Sequence, residues 1–141
     1  MLGATEKEAA VDAPTFIKRT AESTGLDKEH AERAVRAILV TLGTRIDPGE
    51  ADDLAAQLPE AFQPYLRHDG KAEPFPPEEF VRRIVHVVPL SNEQARRAVR
   101  AVFGVLSEAV SEGELEDVLL QLDADYSGLV GMPTGRNLQR L

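Results

Sequence analysis

The sequence RAVRA occurs twice in this chain, at residues 33–37 and again, 64 positions later, at residues 97–101. Around it, residues 16–58 align with residues 80–122 at the same offset and without a gap. A repeat at fixed offset indicates that one helical unit was duplicated, and that its two copies bury their apolar faces against each other. The matched identities include the pairs Phe16/Phe80, Leu42/Leu106, Glu50/Glu114, Asp53/Asp117 and Gln57/Gln121.

Each copy of the repeat predicts three helices with recognisable start signals. Asp27 and Ser91 are typical N-caps for the second and longest helix, and Ser91 with Gln94 has the spacing of a capping box. Asp47 and Ser111 have the same place before the third helix. The apolar residues along the second helix, including Ile38 and Val102, recur with helical period. Residues 60–66 add a possible short fourth helix.

The fold predicted from this pattern is all-α, with two homologous three-helix repeats packed as one pseudo-two-fold helical bundle. No segment has the alternation of apolar and polar residues that is typical of a strand. Two separate small bundles are the alternative architecture. The predicted boundaries are a disordered N-terminal tail (1–13), a single helical domain (14–130) made of repeat one (15–66), a linker (67–77) and repeat two (78–130), and a flexible C-terminal tail (131–141).

Composition limits the classes of function. The chain has 141 residues, a formal net charge of −8 and no cysteine. The absence of cysteine excludes disulfides and thiolate metal sites, and the negative charge argues against nucleic-acid binding. The first residues lack the features of a signal peptide, and no apolar run reaches the roughly 20 residues that span a bilayer. We therefore expect a cytoplasmic protein that binds neither membranes nor nucleic acids.

A longer pattern connects the chain to a known family. It consists of F-[IV]-x-R, the arginine-alanine helix, and G-E-A-x-D-L-A-A-Q-L-P at residues 49–59, of which residues 50–59 are the most specific. Over about residues 15–130 the chain resembles the DUF2267 family of small bacterial helical proteins. The second copy departs from the pattern at Asp123, where the first has a proline. The resemblance implies an all-helical fold and supplies no catalytic residue.

Arginines are the first candidates for a functional surface. Arg33 and Arg36 in the first copy match Arg97 and Arg100 in the second, and each pair lies on the outward face of the longest helix. One interpretation is a solvated face with helical ion pairs, since glutamates precede Arg33 and Arg97 by four residues. The other is a docking surface for an acidic partner.

Arg19 and Arg83 predict structural ion pairs, because each lies beside the apolar stripe of the first helix in its repeat. We expect Arg19 to pair with Glu50 or Asp53 of the third helix. By the repeat, Arg83 would pair with Glu114 or Asp117. A partly buried pair of this kind would fix how the two helices dock.

Other chemistry is sparse in the sequence. Asp123, Asp125 and Ser127 have the spacing that begins a calcium loop, but Thr134 stands where the bidentate glutamate belongs, so calcium binding there is not expected. The sequence predicts no catalytic residue, cofactor or metal site. We therefore expect a non-catalytic interaction module that binds a protein partner or itself. The alternative is a protein that binds a small molecule or ion in the cleft between the repeats.

Overall fold

In a computed structural model that describes residues 9–138, the chain is all-helical and contains no strand in that range, which confirms the prediction that the fold is all-α. Short 3-10 turns lie at Glu60–Phe62, Ala124–Tyr126 and Gly135–Asn137. None of the helices described is both long and apolar enough to cross a lipid bilayer. The helices are α1 (Ala13–Thr24), α2 (Lys28–Arg45), α3 (Pro48–Ala56), α4 (Gln63–Leu66), α5 (Pro77–Val87), α6 (Asn92–Ala109), α7 (Glu112–Gln121) and α8 (Ser127–Val130).

Three of the predicted N-caps form as expected. The side chain of Asp27 accepts a hydrogen bond from the backbone N–H of His30, and Ser111 accepts one from Glu114. Ser91 and Gln94 make the complete capping box at the start of α6. Asp47 precedes α3 but its side chain makes no capping hydrogen bond. These caps satisfy backbone donors that have no partner inside the helix.

Two glutamines at matched repeat positions join α3 and α7. The Oε1 atom of Gln121 accepts a hydrogen bond of 2.8 Å from the backbone N–H of Asp47. The Oε1 atom of Gln57 accepts one of 2.7 Å from the backbone N–H of Ser111. Each glutamine therefore bonds the residue that precedes the other helix, which fixes the two helices against each other.

The hydrophobic residues of the two halves form one core. Helix α1 packs on α2 and α6, α5 packs on α6 and α2, and α2 also contacts α6. Ile38 and Val102, in the middle of the two long helices, are both fully buried. Phe16 meets Phe62 edge to face with 5.4 Å between ring centroids, and the aromatic rings thereby fill gaps between the aliphatic side chains.

The predicted linker is part of the packed structure. Phe75 is buried, and its carbonyl oxygen accepts hydrogen bonds from Arg45 Nε at 3.0 Å and Tyr126 Oη at 2.7 Å. Arg45 is only 4% exposed, and its guanidinium also pairs with Asp123 at 3.2 Å. A buried guanidinium is tolerated because its donors are bonded. The repeat gave no indication of this arrangement, since the residue matched to Arg45 is Ala109.

The C-terminal segment differs from the flexible tail predicted for residues 131–141. Thr134 is fully buried, and its Oγ1 atom donates a 2.7 Å hydrogen bond to the carbonyl oxygen of Asp123. The turn at Gly135–Asn137 packs against α7. Residues 139–141 lie outside the described range, as do residues 1–8 of the predicted N-terminal tail, while Val11 within that tail is buried.

We predict that Gly43→Ala destabilises the fold, because a Cβ atom at Gly43 would overlap the backbone carbonyl of Leu66 where α2 and α4 meet. Overpacking of this kind costs roughly 1–3 kcal/mol. Gly104→Ala on α6 is the matched control, because a Cβ atom there meets nothing within 4 Å. It should stabilise the protein by about 0.5–1 kcal/mol. Urea unfolding of both variants measures the two effects, and equal free energies of unfolding would contradict the close approach of α2 and α4.

Candidate functional site

The four candidate arginines lie on two separate faces of the protein. Arg33 and Arg36 are exposed on α2 beside α5, whereas Arg97 and Arg100 are exposed on α6 beside α1. The chain therefore has two arginine-bearing grooves, each formed by the long helix of one half and the first helix of the other.

The larger of these, here named the α2–α5 groove, has a volume of about 840 Å³. Val40 and Val87 are 43% and 56% exposed and give the groove an apolar surface. Exposed valines of this kind are informative when they are adjacent, because contiguous apolar patches mark interaction sites. The groove is lined by Arg33, Arg36, Ala37, Val40, Thr41, Thr44, Glu79, Arg82, Arg83, His86, Val87 and Val88.

The α2–α5 groove is positively charged. Four arginines and one glutamate line it, giving a formal charge of +3 in a protein whose net charge is −8. Arg83 and Arg82 both donate to Glu79, and these hydrogen bonds lower the pKa of Glu79 below its usual value. Glu79 therefore stays ionised and is already neutralised by two arginines. An incoming ligand therefore meets both arginines and exposed valines in this groove.

Arg33 and Arg36 are the arginines most available to a ligand. Among the described residues, no carboxylate lies within ion-pair distance of either one. Arg33 donates a long 3.3 Å hydrogen bond to the carbonyl oxygen of Val87, and Arg36 lies over the ring of Tyr65, 5.5 Å from its centroid. These contacts orient the guanidinium groups without neutralising them, so both charges remain available at the surface.

The second groove, here named the α1–α6 groove, has a volume of about 530 Å³ and is lined by residues at matched repeat positions. Its composition is different. Gly104 and Ser23 replace Val40 and Val87, and Glu22 replaces His86. The groove is lined by Arg19, Glu22, Ser23, Arg97, Arg100, Ala101, Gly104, Val105 and Glu108. Three arginines against two glutamates leave it nearly neutral, and it lacks the exposed valines.

The acidic partners predicted for Arg19 and Arg83 were wrong. Arg19 pairs with Glu108 across the α1–α6 groove at 2.7 Å, and not with Glu50 or Asp53. Arg83 pairs with Glu79 on its own helix and with Glu73, both at 2.9 Å, and not with Glu114 or Asp117. The reason is that α1 and α5 pack on the long helices, whereas α3 and α7 pack on each other.

The acids expected to pair with arginines instead come together between α3 and α7. Oxygen atoms of Glu50, Glu114 and Asp117 all lie within 4.8 Å of one another. Glu114 is only 8% exposed. Its burial, followed by its hydrogen bond and charge interaction with Glu50 and the charges of Asp53 and Asp117, raises its pKa to about 9. Glu114 therefore retains a proton at neutral pH unless another positive charge replaces it.

The stretch resembling the start of a calcium loop is helical. It forms the turn Ala124–Tyr126 followed by α8, and Asp123 pairs with Arg45. Ser127 Oγ donates to the carbonyl oxygen of Ala124. Asp123 and Ser127 thus bond to other groups of the protein.

The comparison with protein families identifies the chain. The family described as an uncharacterized conserved protein (DUF2267) matches residues 13–129. The chain belongs to the DUF2267 family. No curated protein sequence matches it.

The site features of this DUF2267 chain were only partly visible in its sequence. The repeat identified Arg33 and Arg36, but Val40, Arg82 and Val87 were not connected with them because the groove joins helices far apart in sequence. The acidic cluster could have been predicted from the sequence. Glu50 and Glu114 are matched residues at the third position of their helices, and the contact between those helices brings them together.

We predict that the stability of this DUF2267 chain falls as the pH rises from about 5 to about 9 in buffer with EDTA. The folded state holds a proton on Glu114 up to about pH 9, whereas the unfolded state releases it near pH 4.5, so folding is linked to proton uptake in this window. Glu114→Gln should flatten this dependence, because its amide does not ionise. Urea unfolding at several pH values measures it, with the exposed Glu112→Gln as the control. Equal pH dependence in the wild type and Glu114→Gln would contradict the buried proton.

Proposed function

We propose that this protein is a cytoplasmic, non-catalytic interaction module whose α2–α5 groove binds an acidic amphipathic segment of a partner protein. The observation that carries the proposal is that four arginines and two exposed valines line one groove, in a protein whose net charge is −8. Such a groove fits a helix that has carboxylates on either side of an apolar stripe.

Charge complementarity selects the partner's sign. Arg33 and Arg36 lie on the α2 side of the groove and Arg82 on the α5 side, so carboxylates on both sides of a bound helix would find guanidinium groups. The overall charge of −8 repels an acidic partner elsewhere on the surface. Positive potential confined to one groove therefore directs an acidic partner to it, and does so most strongly at low ionic strength.

The two exposed valines supply the rest of the binding energy. Val40 and Val87 lie on the two helices that form the groove, and each loses its exposed surface when a partner side chain packs between them. Burial of apolar surface is worth about 25 cal/mol per Å². Three of the described large hydrophobic residues are substantially exposed, and this groove contains two of them.

Comparison of the two halves supports binding in one groove and not in the other. We propose that the halves are related by a pseudo-two-fold axis, on the basis of the reciprocal contacts of α1 with α6 and α5 with α2. One groove then keeps free arginines and valines. In the other, Glu108 neutralises Arg19 and small residues replace the valines. Duplication followed by divergence leaves one binding groove and one matched non-binding groove.

A small anionic molecule is the second candidate ligand, because about 840 Å³ lies within the range of small-molecule pockets. The groove is an open one in which Val87 keeps 56% of its surface exposed. Small ligands are usually held in sites that bury most of their surface. The elongated partner segment is therefore the stronger proposal.

The proposal predicts which peptides the full-length chain selects from a library of random 16-residue peptides. Selected sequences should be acidic and have apolar residues three and four positions apart. Their affinity for Arg33→Glu should fall by roughly tenfold or more, because the substitution places a negative charge in the groove. Val87→Ser, which copies Ser23 of the other groove, should weaken binding at unchanged net charge. Fluorescence anisotropy of a labelled selected peptide measures both affinities.

Arg97→Glu is the matched control, since it makes the same charge change at the equivalent position of the α1–α6 groove. Peptide affinity should change little in this variant beyond the effect of net charge. Equal losses in Arg33→Glu and Arg97→Glu would contradict binding in the α2–α5 groove, as would selection of basic or purely apolar peptides. Binding of a short dicarboxylate competitor as tightly as the peptide would favour the small anionic ligand. Self-association that disappears in Arg33→Glu would identify a second copy as the occupant.

A further inference from the structure

The contact between α3 and α7 contains an arrangement that the proposed function does not use. Glu50 and Glu114 are matched repeat residues, and each lies in the first turn of its helix. Their Oε2 atoms are both buried, and no donor from any other described residue bonds either one. Glu114 as a whole is 8% exposed. A buried carboxylate oxygen without a partner is costly, so two of them in one cluster require a positively charged or protonated neighbour.

No side-chain cation of the described residues bonds either of these two oxygens. The two arginines that the sequence predicted as partners of these acids bind other carboxylates. Arg19 pairs with Glu108, and Arg83 pairs with Glu73 and Glu79. Asp53 and Asp117 add negative charge to the same cluster. Glu50, Glu114 and Asp117 thus bring carboxylate oxygens together between α3 and α7, and a shared proton or a bound metal ion would balance the buried charge of Glu50 and Glu114.

The oxygen spacing fits a large, hard divalent cation. The oxygens of Glu50, Glu114 and Asp117 all lie within 4.8 Å of one another. Calcium binds oxygen at about 2.3–2.6 Å, so ligands on opposite sides of the ion are up to about 5 Å apart. Magnesium binds oxygen at about 2.1 Å in a strict octahedral geometry and prefers to retain its water, so a site built from three carboxylates suits it less well. Carboxylates that bind in bidentate fashion would supply most of the six to eight oxygens that calcium takes.

We propose that Glu50, Glu114 and Asp117 form a calcium-binding site that links α3 to α7. The ion would take the place of the proton on Glu114 and satisfy both buried oxygens at once. It would connect the two halves of the chain where Gln57 and Gln121 already join them. This site is separate from the α2–α5 groove, so either proposal can fail without the other.

The test is calorimetric titration of the full-length, chelator-treated chain with calcium chloride near pH 7.5. We expect one saturable site per chain, with a dissociation constant of about 1 mM or tighter. Glu114→Gln and Glu50→Gln should each weaken binding by about tenfold or more, since each removes a charged ligand but keeps the side-chain shape. Calcium should also raise the melting temperature of the wild type and leave that of Glu114→Gln unchanged. Circular dichroism of each variant verifies that its helices are intact.

Two controls make the assignment specific. Glu112→Gln removes an exposed charge from the same helix and should retain full calcium affinity. Asp125→Asn tests the calcium-like stretch after α7 and should also bind normally. The proposal is overturned if the wild type shows no saturable heat up to about 10 mM calcium. It is also overturned if binding survives Glu114→Gln and Glu50→Gln, or is lost in Asp125→Asn instead. An infrared carboxylic-acid band at neutral pH that calcium does not remove would show that a shared proton fills the cluster.

Discussion

The structure depends on the burial of each half of the chain against the other. Helix α1 packs on α6 as well as on α2, and α5 packs on α2 as well as on α6. Ile38 and Val102 have no exposed surface as a result. A single three-helix unit of this size would leave one apolar face in water, and small units bury too little surface to be stable alone. This packing of each first helix on the long helix of the other half creates both grooves, since each groove lies between helices of different halves.

Arg45 stabilises the contact between the two halves. Its guanidinium is almost fully buried, yet it bonds the carbonyl oxygen of Phe75, the carboxylate of Asp123 and the carbonyl oxygen of Gln121. It also lies over the ring of Tyr126, 5.1 Å from the centroid. One side chain thus holds the connection between the halves, the end of α7 and the turn after it. The groove formed by α2 and α5 keeps its shape because the segment that leads into α5 is fixed in this way.

The two functional proposals both concern residues at matched positions of the two halves. At matched positions, the α2–α5 groove has Val40, Thr44 and Val87 where the α1–α6 groove has Gly104, Glu108 and Ser23. The contact between α3 and α7 brings one residue against its own match in the other half. Glu50 therefore faces Glu114, and the like charges create a demand for a proton or a cation that neither helix would have alone. The proposed binding groove depends on residues that differ between the two halves, and the acidic cluster depends on glutamates that are the same in both.

The sequence by itself determined the helices, most of their caps and the family, because these depend on residues close together along the chain. The periodicity around Ile38 and the capping box at Ser91 are local signals, and the DUF2267 pattern at residues 49–59 is also continuous. Tertiary structure alone decided the partners of charged residues. Arg19 pairs with Glu108, and Arg45 is buried although the matched residue of the second repeat is Ala109. Long charged side chains reach whichever oppositely charged group the packing brings near, so their pairing depends on contacts between helices that sequence spacing does not encode.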